Sequence, residues 1–337
     1  MRGPGTLVLG IESTAHTFGA SVASDKEPYI LSDKRHKYVP EKGGIHPLEA
    51  SLSFMKHAPS VIRKALEEAG ITPKELDGVA AAFGPGLGPC LRVGATVARA
   101  LAAYYRKPLL RVNHAVAHVE IGRLLTGARD PVIVYLSGGN TLIAAQVGRR
   151  YRVFGETLDV ALGNFMDHFT REAGLAPPYV VGGLHQLDRC AEGGRLIPGF
   201  PYIVKGQDVS FSGLLTHALR ALKAGHRLED VCYTVREIAY SAIIEITERA
   251  LAHTGKNEVL LVGGVAASPV LRNKFEVMAE EREATVKVVP PKYAVDNGAM
   301  IAWTGVLMLK HGMTTPPEKA YVRQRWRIDE FELPWFT

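Results

Sequence analysis

Cysteine is scarce: three residues in 337, Cys90, Cys190 and Cys232, too scattered and odd in number for a disulfide framework and with no C-x-x-C metal clip. A reducing, cytoplasmic setting without disulfides is expected. Long hydrophobic runs are missing too. The longest uncharged apolar stretch, Val259–Val270, is short and glycine-rich, which excludes a membrane-spanning helix. Leu7–Ile11 is too brief for the apolar core of a signal peptide and stops at Glu12, so export is not expected. Acidic charge is in deficit, with 34 Asp and Glu against 40 Lys and Arg, a net charge of +6. That balance suits a polyanionic partner such as RNA as well as it suits a merely basic globular protein.

What is present is ample apolar content, 47% of residues, in a length sufficient for two domains or one duplicated fold. Thr6–Ala23 reads as strand, polar turn and strand, with a third strand expected near Tyr29–Ser32. A helix is expected over Leu48–Gly70, a strand at Gly78–Phe83, an alanine-rich helix to about Tyr105 and a strand at Pro108–Val112. After residue 130 the pattern restarts: strands at Val132–Leu136, Leu142–Val147 and Tyr151–Phe154. This repetition predicts an α/β chain built by duplication. Its first lobe covers residues 1–130 and its second 131–337, with a mostly helical insertion at about 163–253. A further strand is expected at Glu258–Val262, another at Val286–Val289 and a final helix at Ala299–Leu309.

The chemistry-bearing residues fall at the turns. Asn113-His114-Ala115-Val116-Ala117-His118 follows a strand. If Asn113 opens a helix, the two imidazoles lie one turn apart on one face and can grip a cation. Three turns, Ser13–Thr17, Ser137–Thr141 and Gly263–Ala267, present Ser, Thr and Gly residues whose backbone N–H groups can cradle an anion. A repeated set of this kind looks like a nucleotide gripped between lobes. The Gly84–Gly88 turn does not match the dinucleotide spacing and reads as structural. The run H-A-V-A-H lacks the glutamate of H-E-x-x-H, which argues against a zinc protease.

The runs GIESTAHT, FGPGLGPCLRVG, VNHAVAHVEIGR, YLSGGNT, GETLDVALGNFMD, VKGQDVSFSGLL, VGGVAAS and VDNGAMIA follow one another from about residue 7 to the closing RQRWRID segment. Together they resemble the universal tRNA N6-threonylcarbamoyladenosine synthesis family, in its archaeal and eukaryotic branch, the catalytic subunit of the KEOPS complex. The resemblance implies a duplicated actin-like ATPase fold (sugar kinase, Hsp70 and actin relatives) with nucleotide in an interlobe cleft. It implies His114, His118 and Asp296 as metal ligands, with Asp296 expected in the second lobe, and Tyr135 as a residue that approaches the metal. Such a donor set suits one iron or zinc ion per subunit, iron ahead of zinc, better than magnesium. Taken alone, Asp296 before a helix reads equally well as an N-cap, and Tyr135 as core.

By the same resemblance, Tyr135, Leu136, Ser137, Gly138, Gly139, Asp167, Gly183, Asp188 and Ser268 take the adenine nucleotide, whether threonylcarbamoyl-AMP, ATP or AMP. Asp167 would hold ribose hydroxyls. Ser268 stands where the family usually has asparagine, so its reach is shorter. In the family's H-P-R-E-A-x-x-H-H pattern this chain has Leu48 for the arginine and lacks the double histidine, which leaves Glu49 only a loop-ordering role. The implied reaction is acyl transfer of the threonylcarbamoyl group from its adenylate to N6 of the adenosine 3′ of the anticodon in tRNAs reading ANN codons. The resemblance names no general base; His16, in the first anion turn, is a candidate, with a structural role as the favoured alternative. Implied partners are tRNA and KEOPS subunits, including a separate small protein kinase and a small dimerising subunit, with neither DNA nor membrane. Arg323, Arg325 and Arg327 would meet tRNA phosphates or, alternatively, pair with Asp329, Glu330 and Glu332. The rival function is a nucleotide-binding, ATPase-like scaffold or switch without transferase chemistry.

Overall fold

The computed structural model describes residues 5–40 and 44–336. The first sheet opens with β1 (Leu7–Glu12) and β2 (Thr17–Ser24), antiparallel and buried along their whole length, which their apolar composition requires. The third strand is not at Tyr29–Ser32, where only an isolated bridge joins Ile30 to Ala23. It is β3 (Lys34–Lys37), a charged edge strand that sequence patterning misses because an edge tolerates lysine and arginine. Helix α1 (Pro47–Ala69) leads through β4 (Gly78–Gly84) and α2 (Gly88–Tyr105) to β5 (Leu109–Asn113) and α3 (His114–Thr126). The sheet order is β3-β2-β1-β4-β5, with β4 parallel to both β1 and β5.

The second sheet repeats this plan. It uses β6 (Val132–Leu136), β7 (Thr141–Val147) and β8 (Arg150–Glu156). Next come α4 (Leu162–Glu172), the hairpin β9 (Val180–Val181) and β10 (Leu184–His185), and α5 (Gln186–Cys190). A second hairpin, β11 (Val204–Lys205) and β12 (Asp208–Val209), precedes α6 (Ser212–Lys223) and the long α7 (Leu228–Thr254). The sheet is completed by β13 (Glu258–Val262), α8 (Pro269–Glu281) and β14 (Thr285–Val288), followed by the short α9 (Pro291–Ala294). Its order, β8-β7-β6-β13-β14, matches the first sheet strand for strand. Both sheets carry two antiparallel hairpin strands and then two parallel ones, so the duplication legible in the turns is real at the level of topology.

The units differ from the expected lobes. One comprises the described residues of Met1–Leu124, Gly148–Arg150 and Val295–Thr337; the other is Leu125–Val147 with Tyr151–Ala294. The chain's last segment thus returns to the first unit instead of continuing the second. The physical cause is α10 (Gly298–Lys310), whose apolar residues Ala299, Met300, Ile301, Ala302 and Val306 are buried against β1, β2 and β4. Gly10 permits that close approach, since a Cβ there would lie 2.1 Å from the Ala302 backbone nitrogen and 2.5 Å from the Gly298 carbonyl oxygen. Neither is a movable side-chain end. Gly10→Ala is therefore expected to destabilise the first unit by about 3 kcal/mol, as overpacking does, measured by guanidinium unfolding.

The expectation of no disulfide is also corrected. Cys190, closing α5, is bonded to Cys232 on α7, 42 positions on, with Cα atoms 5.8 Å apart; Cys90 is free and buried. Scattered spacing hid a pair that the packing of the helical insertion brings together. Disulfides do occur inside cells in hyperthermophiles, so a low cysteine count does not fix the compartment. No helix among the described residues is long and apolar enough to cross a membrane.

Candidate metal centre and nucleotide turns

Asn113 ends β5 and opens α3. Its side-chain oxygen accepts from the backbone N–H groups of Ala115 at 3.0 Å and Val116 at 3.2 Å, while its amide donates to the Trp326 and Arg327 carbonyls, both at 3.2 Å. This cap fixes the helix start, and with it the two histidines on one face. The imidazoles of His114 and His118 are buried, edge to face, with ring centres 4.7 Å apart.

Asp296 completes the group from the end of the chain. It is not the cap of α10. Asn297 takes that role, accepting from the Met300 N–H at 2.9 Å, and this leaves the Asp296 carboxylate for the histidines. Asp296 Oδ1 lies 3.3 Å from His118 Nε2 and 3.6 Å from His114 Nε2. The three ligand atoms lie within 4.8 Å of one another. Asp296 belongs to the same unit as the histidine pair, not to the opposite lobe as expected, because α10 packs there.

Sequence reasoning missed what stands behind His114. Glu12, fully buried at the end of β1, accepts from His114 Nδ1 at 2.9 Å through Oε2. Its other oxygen accepts from the Thr14 N–H at 2.6 Å and the Thr14 hydroxyl at 2.5 Å. A buried carboxylate bonded to Nδ1–H sets the tautomer in which Nε2 carries the lone pair. The available signal was a lone glutamate terminating an otherwise apolar buried strand. Two Nε2 atoms and one carboxylate oxygen converging in a buried position, one imidazole backed by a carboxylate, fit a transition-metal ion.

Burial opposes charge on His114, but the Glu12 carboxylate, with Asp296 adding to it, outweighs that cost and pushes the imidazole up to about 9. For His118 burial dominates and the shift is downward, against the opposing hydrogen bond to Asp296. Burial would raise Asp296, yet the His118 hydrogen bond and the nearby His114, His118 and His16 hold it well below the usual carboxylate range. A proton on His114 Nε2 competes with a metal. Metal affinity should accordingly rise with pH, about tenfold per unit from neutrality until pH 9, then level off. Calorimetry in buffers of different ionisation enthalpy should record about one proton released per ion bound at pH 7.5.

In the second unit, Tyr135 and Leu136 end β6, and Ser137, Gly138 and Gly139 lie in the turn that follows. Ser137 is tied to Asn140 by backbone and side chain, with its N–H on the Asn140 carbonyl at 2.8 Å and its Oγ accepting from the Asn140 N–H at 3.0 Å. Tyr135 is buried, its hydroxyl accepting from Asn140 Nδ2 at 3.4 Å. The turn after β13 abuts this one: a Cβ on Gly263 would lie 2.2 Å from the Leu136 carbonyl oxygen. Helix α4 closes on the same turn through Gly163, whose N–H donates to the Ser137 carbonyl at 3.3 Å, and Asp167 follows one turn later.

The remaining expected nucleotide residues cluster at α5. His185 donates through Nε2 to Asp167 Oδ1 at 3.0 Å and caps α5 by accepting from the Leu187 N–H. Gly183, at φ +82°, is the second residue of the two-residue β9–β10 turn. Asp188 is buried, accepting from the Tyr240 hydroxyl at 2.9 Å and from the Ser268 hydroxyl at 2.8 Å. Burial raises its carboxyl above the ordinary value despite those bonds. Ser268 also caps α8, accepting from the Leu271 N–H at 3.3 Å. Its hydroxyl hydrogen and one lone pair are thereby committed, leaving one lone pair for a ligand.

Elsewhere, Glu49, in the first turn of α1, accepts from the Tyr38 hydroxyl at 2.5 Å. In the tail, Arg323 pairs with Glu330 at 2.7 Å and Arg327 with Asp329 at 3.2 Å, while Glu332 pairs with Arg150 at 3.1 Å. Arg325 is exposed and makes no ion pair among the described residues.

Residues 30–303 match the model of the tRNA N6-adenosine threonylcarbamoyltransferase family. A protein of that name from Aeropyrum pernix is 58% identical over 98% of this chain and 95% of its own length. Another, from Hyperthermus butylicus, is 60% identical over 97% of this chain and 91% of its own. Among solved structures, HypF of T. kodakarensis is similar with a TM-score of 0.59 at 17% identity, covering 94% of this chain and 50% of that one. The activator of the 2-hydroxyisocaproyl-CoA dehydratase from Clostridium difficile, with bound ADPNP, gives 0.53 at 11% identity, over 91% and 97%. These structural likenesses concern the fold, that of the actin-like ATPases.

Proposed function

The chain belongs to the tRNA N6-adenosine threonylcarbamoyltransferase family and is a transferase, and from that premise we propose that it moves the threonylcarbamoyl group from threonylcarbamoyl-AMP to N6 of the adenosine 3′ of the anticodon in ANN-reading tRNAs. The observation that carries this reading is the convergence of His114 Nε2, His118 Nε2 and Asp296 Oδ1, backed by Glu12, in a chain so close to named transferases along its length.

In this reaction a bond forms between N6 and the carbamoyl carbon, the bond from that carbon to the adenylate phosphate oxygen breaks, AMP leaves and N6 gives up a proton. His114, His118 and Asp296 would hold an iron or zinc ion, with Tyr135 as the further ligand the resemblance implies. The ion's chemistry is to polarise the carbamoyl carbonyl as a Lewis acid. The backbone N–H groups of Gly138 and Gly139, with the Ser137 hydroxyl, bind the adenylate phosphate, the Ser137 N–H being held by the Asn140 carbonyl. Asp167, oriented by His185, accepts from ribose hydroxyls, and the free lone pair of Ser268 takes one further donor. The exocyclic amine is a weak nucleophile, so orientation by these groups supplies much of the rate. A net charge of +6 and the exposed Arg325 suit tRNA phosphates. The protein works in the cytoplasm with KEOPS subunits, including a separate small kinase and a small dimerising subunit.

The test is reconstitution with tRNA, threonine, bicarbonate, ATP, the adenylate-forming enzyme and the partner subunits, scored for modified nucleoside by mass spectrometry. Modified tRNA that depends on this chain is the expected result. Its absence with all partners present overturns the reading in favour of a nucleotide-binding scaffold.

A further inference from the structure

We propose that the Cys190–Cys232 disulfide is a positioning strut for the nucleotide site, seating α5 on α7 so that Asp188 can hold the Ser268 hydroxyl at the start of α8. The inference rests on the reading above that the turn after β13 and Ser268 take the adenylate.

Helix α5 has five residues, far below the length at which a helix stands unaided. Before it lies the Gly182-Gly183 turn, and after it Gly193 with φ +70°, so little in the local chain holds it. Its main attachment is to one face of α7, with a lesser one to α4, where its cap His185 bonds Asp167. Cys232, Arg236 and Tyr240 recur every four residues and so share that face. They meet α5 in three ways: Cys232 through the disulfide to Cys190, Arg236 Nη1 by donating to the Asp188 carbonyl at 3.5 Å, and Tyr240 by donating to the Asp188 carboxylate. Only the first is covalent. Asp188 stands two positions before Cys190 and reaches across to Ser268, the residue that ends the turn after β13. Short elements with few contacts open locally well below the global unfolding free energy. The disulfide bars that opening at the point where the nucleotide site depends on α5. The metal group lies in the other unit and shares none of these residues.

The experiment measures AMP affinity by calorimetry on the full-length protein: oxidised, reduced with a phosphine, as Cys190→Ala/Cys232→Ala, and as Asp188→Asn, with metal content determined in parallel. The reduced protein and the double variant should bind AMP about tenfold more weakly, the scale of loosening one buried polar pair. Metal content should be unchanged, and reductant should have no effect on the double variant. Asp188→Asn in the oxidised protein should weaken AMP by a similar factor. If reduction leaves AMP affinity within twofold while Asp188→Asn weakens it, the strut is overturned and the adenylate reading stands. If Asp188→Asn has no effect, the adenylate reading of this cluster fails, and the strut with it. Parallel loss of metal and AMP binding on reduction would mean general unfolding and would also overturn the strut. Should the double variant not fold, the reduced wild-type protein carries the measurement.

Discussion

Asp296→Asn is expected to lose bound metal and to lower tRNA threonylcarbamoylation about a thousandfold, the rate equivalent of several kcal/mol of Lewis-acid stabilisation. The substitution is nearly isosteric and α10 is capped by Asn297, so the helix and its packing on β1 and β2 should remain. An amide is a poor ligand beside two imidazoles, and it withdraws the negative charge that both Nε2 atoms face at 3.3 and 3.6 Å. Metal stoichiometry by plasma mass spectrometry, thermal unfolding and modified-nucleoside yield separate the outcomes. A variant that keeps its metal and its activity would remove Asp296 from the site.

Glu12→Gln should weaken metal binding by about 10- to 100-fold, the range for partners that orient metal-bound histidines. The amide nitrogen can donate to His114 Nδ1, which moves the imidazole proton to Nε2 and blocks the metal-facing position. A second signature distinguishes this from general damage. Glu12 is the main group raising His114 toward 9. Without its charge the pH at which metal affinity levels off should fall toward or below the ordinary 6.5 of histidine. An unchanged pH profile would show that Glu12 does not act through His114.

Much of the site could be read locally. Asn113 before His114 is a cap signal, and the four-residue spacing to His118 places both rings on one helical face whatever surrounds them. The glycine-bearing turns after β6 and β13 were visible because small polar residues interrupt buried apolar strands. The repeated strand pattern foretold two sheets of one topology. Other features had no local signal. The charged strand Lys34–Lys37 has no apolar alternation, since it lies at a sheet edge. Glu12 looks like the end of a strand until His114, 102 positions away, is seen to donate to it. Cys190 and Cys232 look unrelated until α5 lies against α7. Ser268, recognised as a departure from the family's usual asparagine, could not be seen to serve both Asp188 and the α8 N-terminus.

The sequence by itself determined the short-range devices of this protein: caps, helical spacing, turn chemistry, buried strands and the family resemblance that runs through them. Each depends on residues a few positions apart, whose geometry follows from backbone dihedrals. Only the tertiary structure decided which unit owns Asp296, what stands behind His114 and which cysteines pair. Those outcomes depend on how α10 seats against Gly10 and how α5 meets one face of α7, and packing between distant segments leaves no mark on local periodicity.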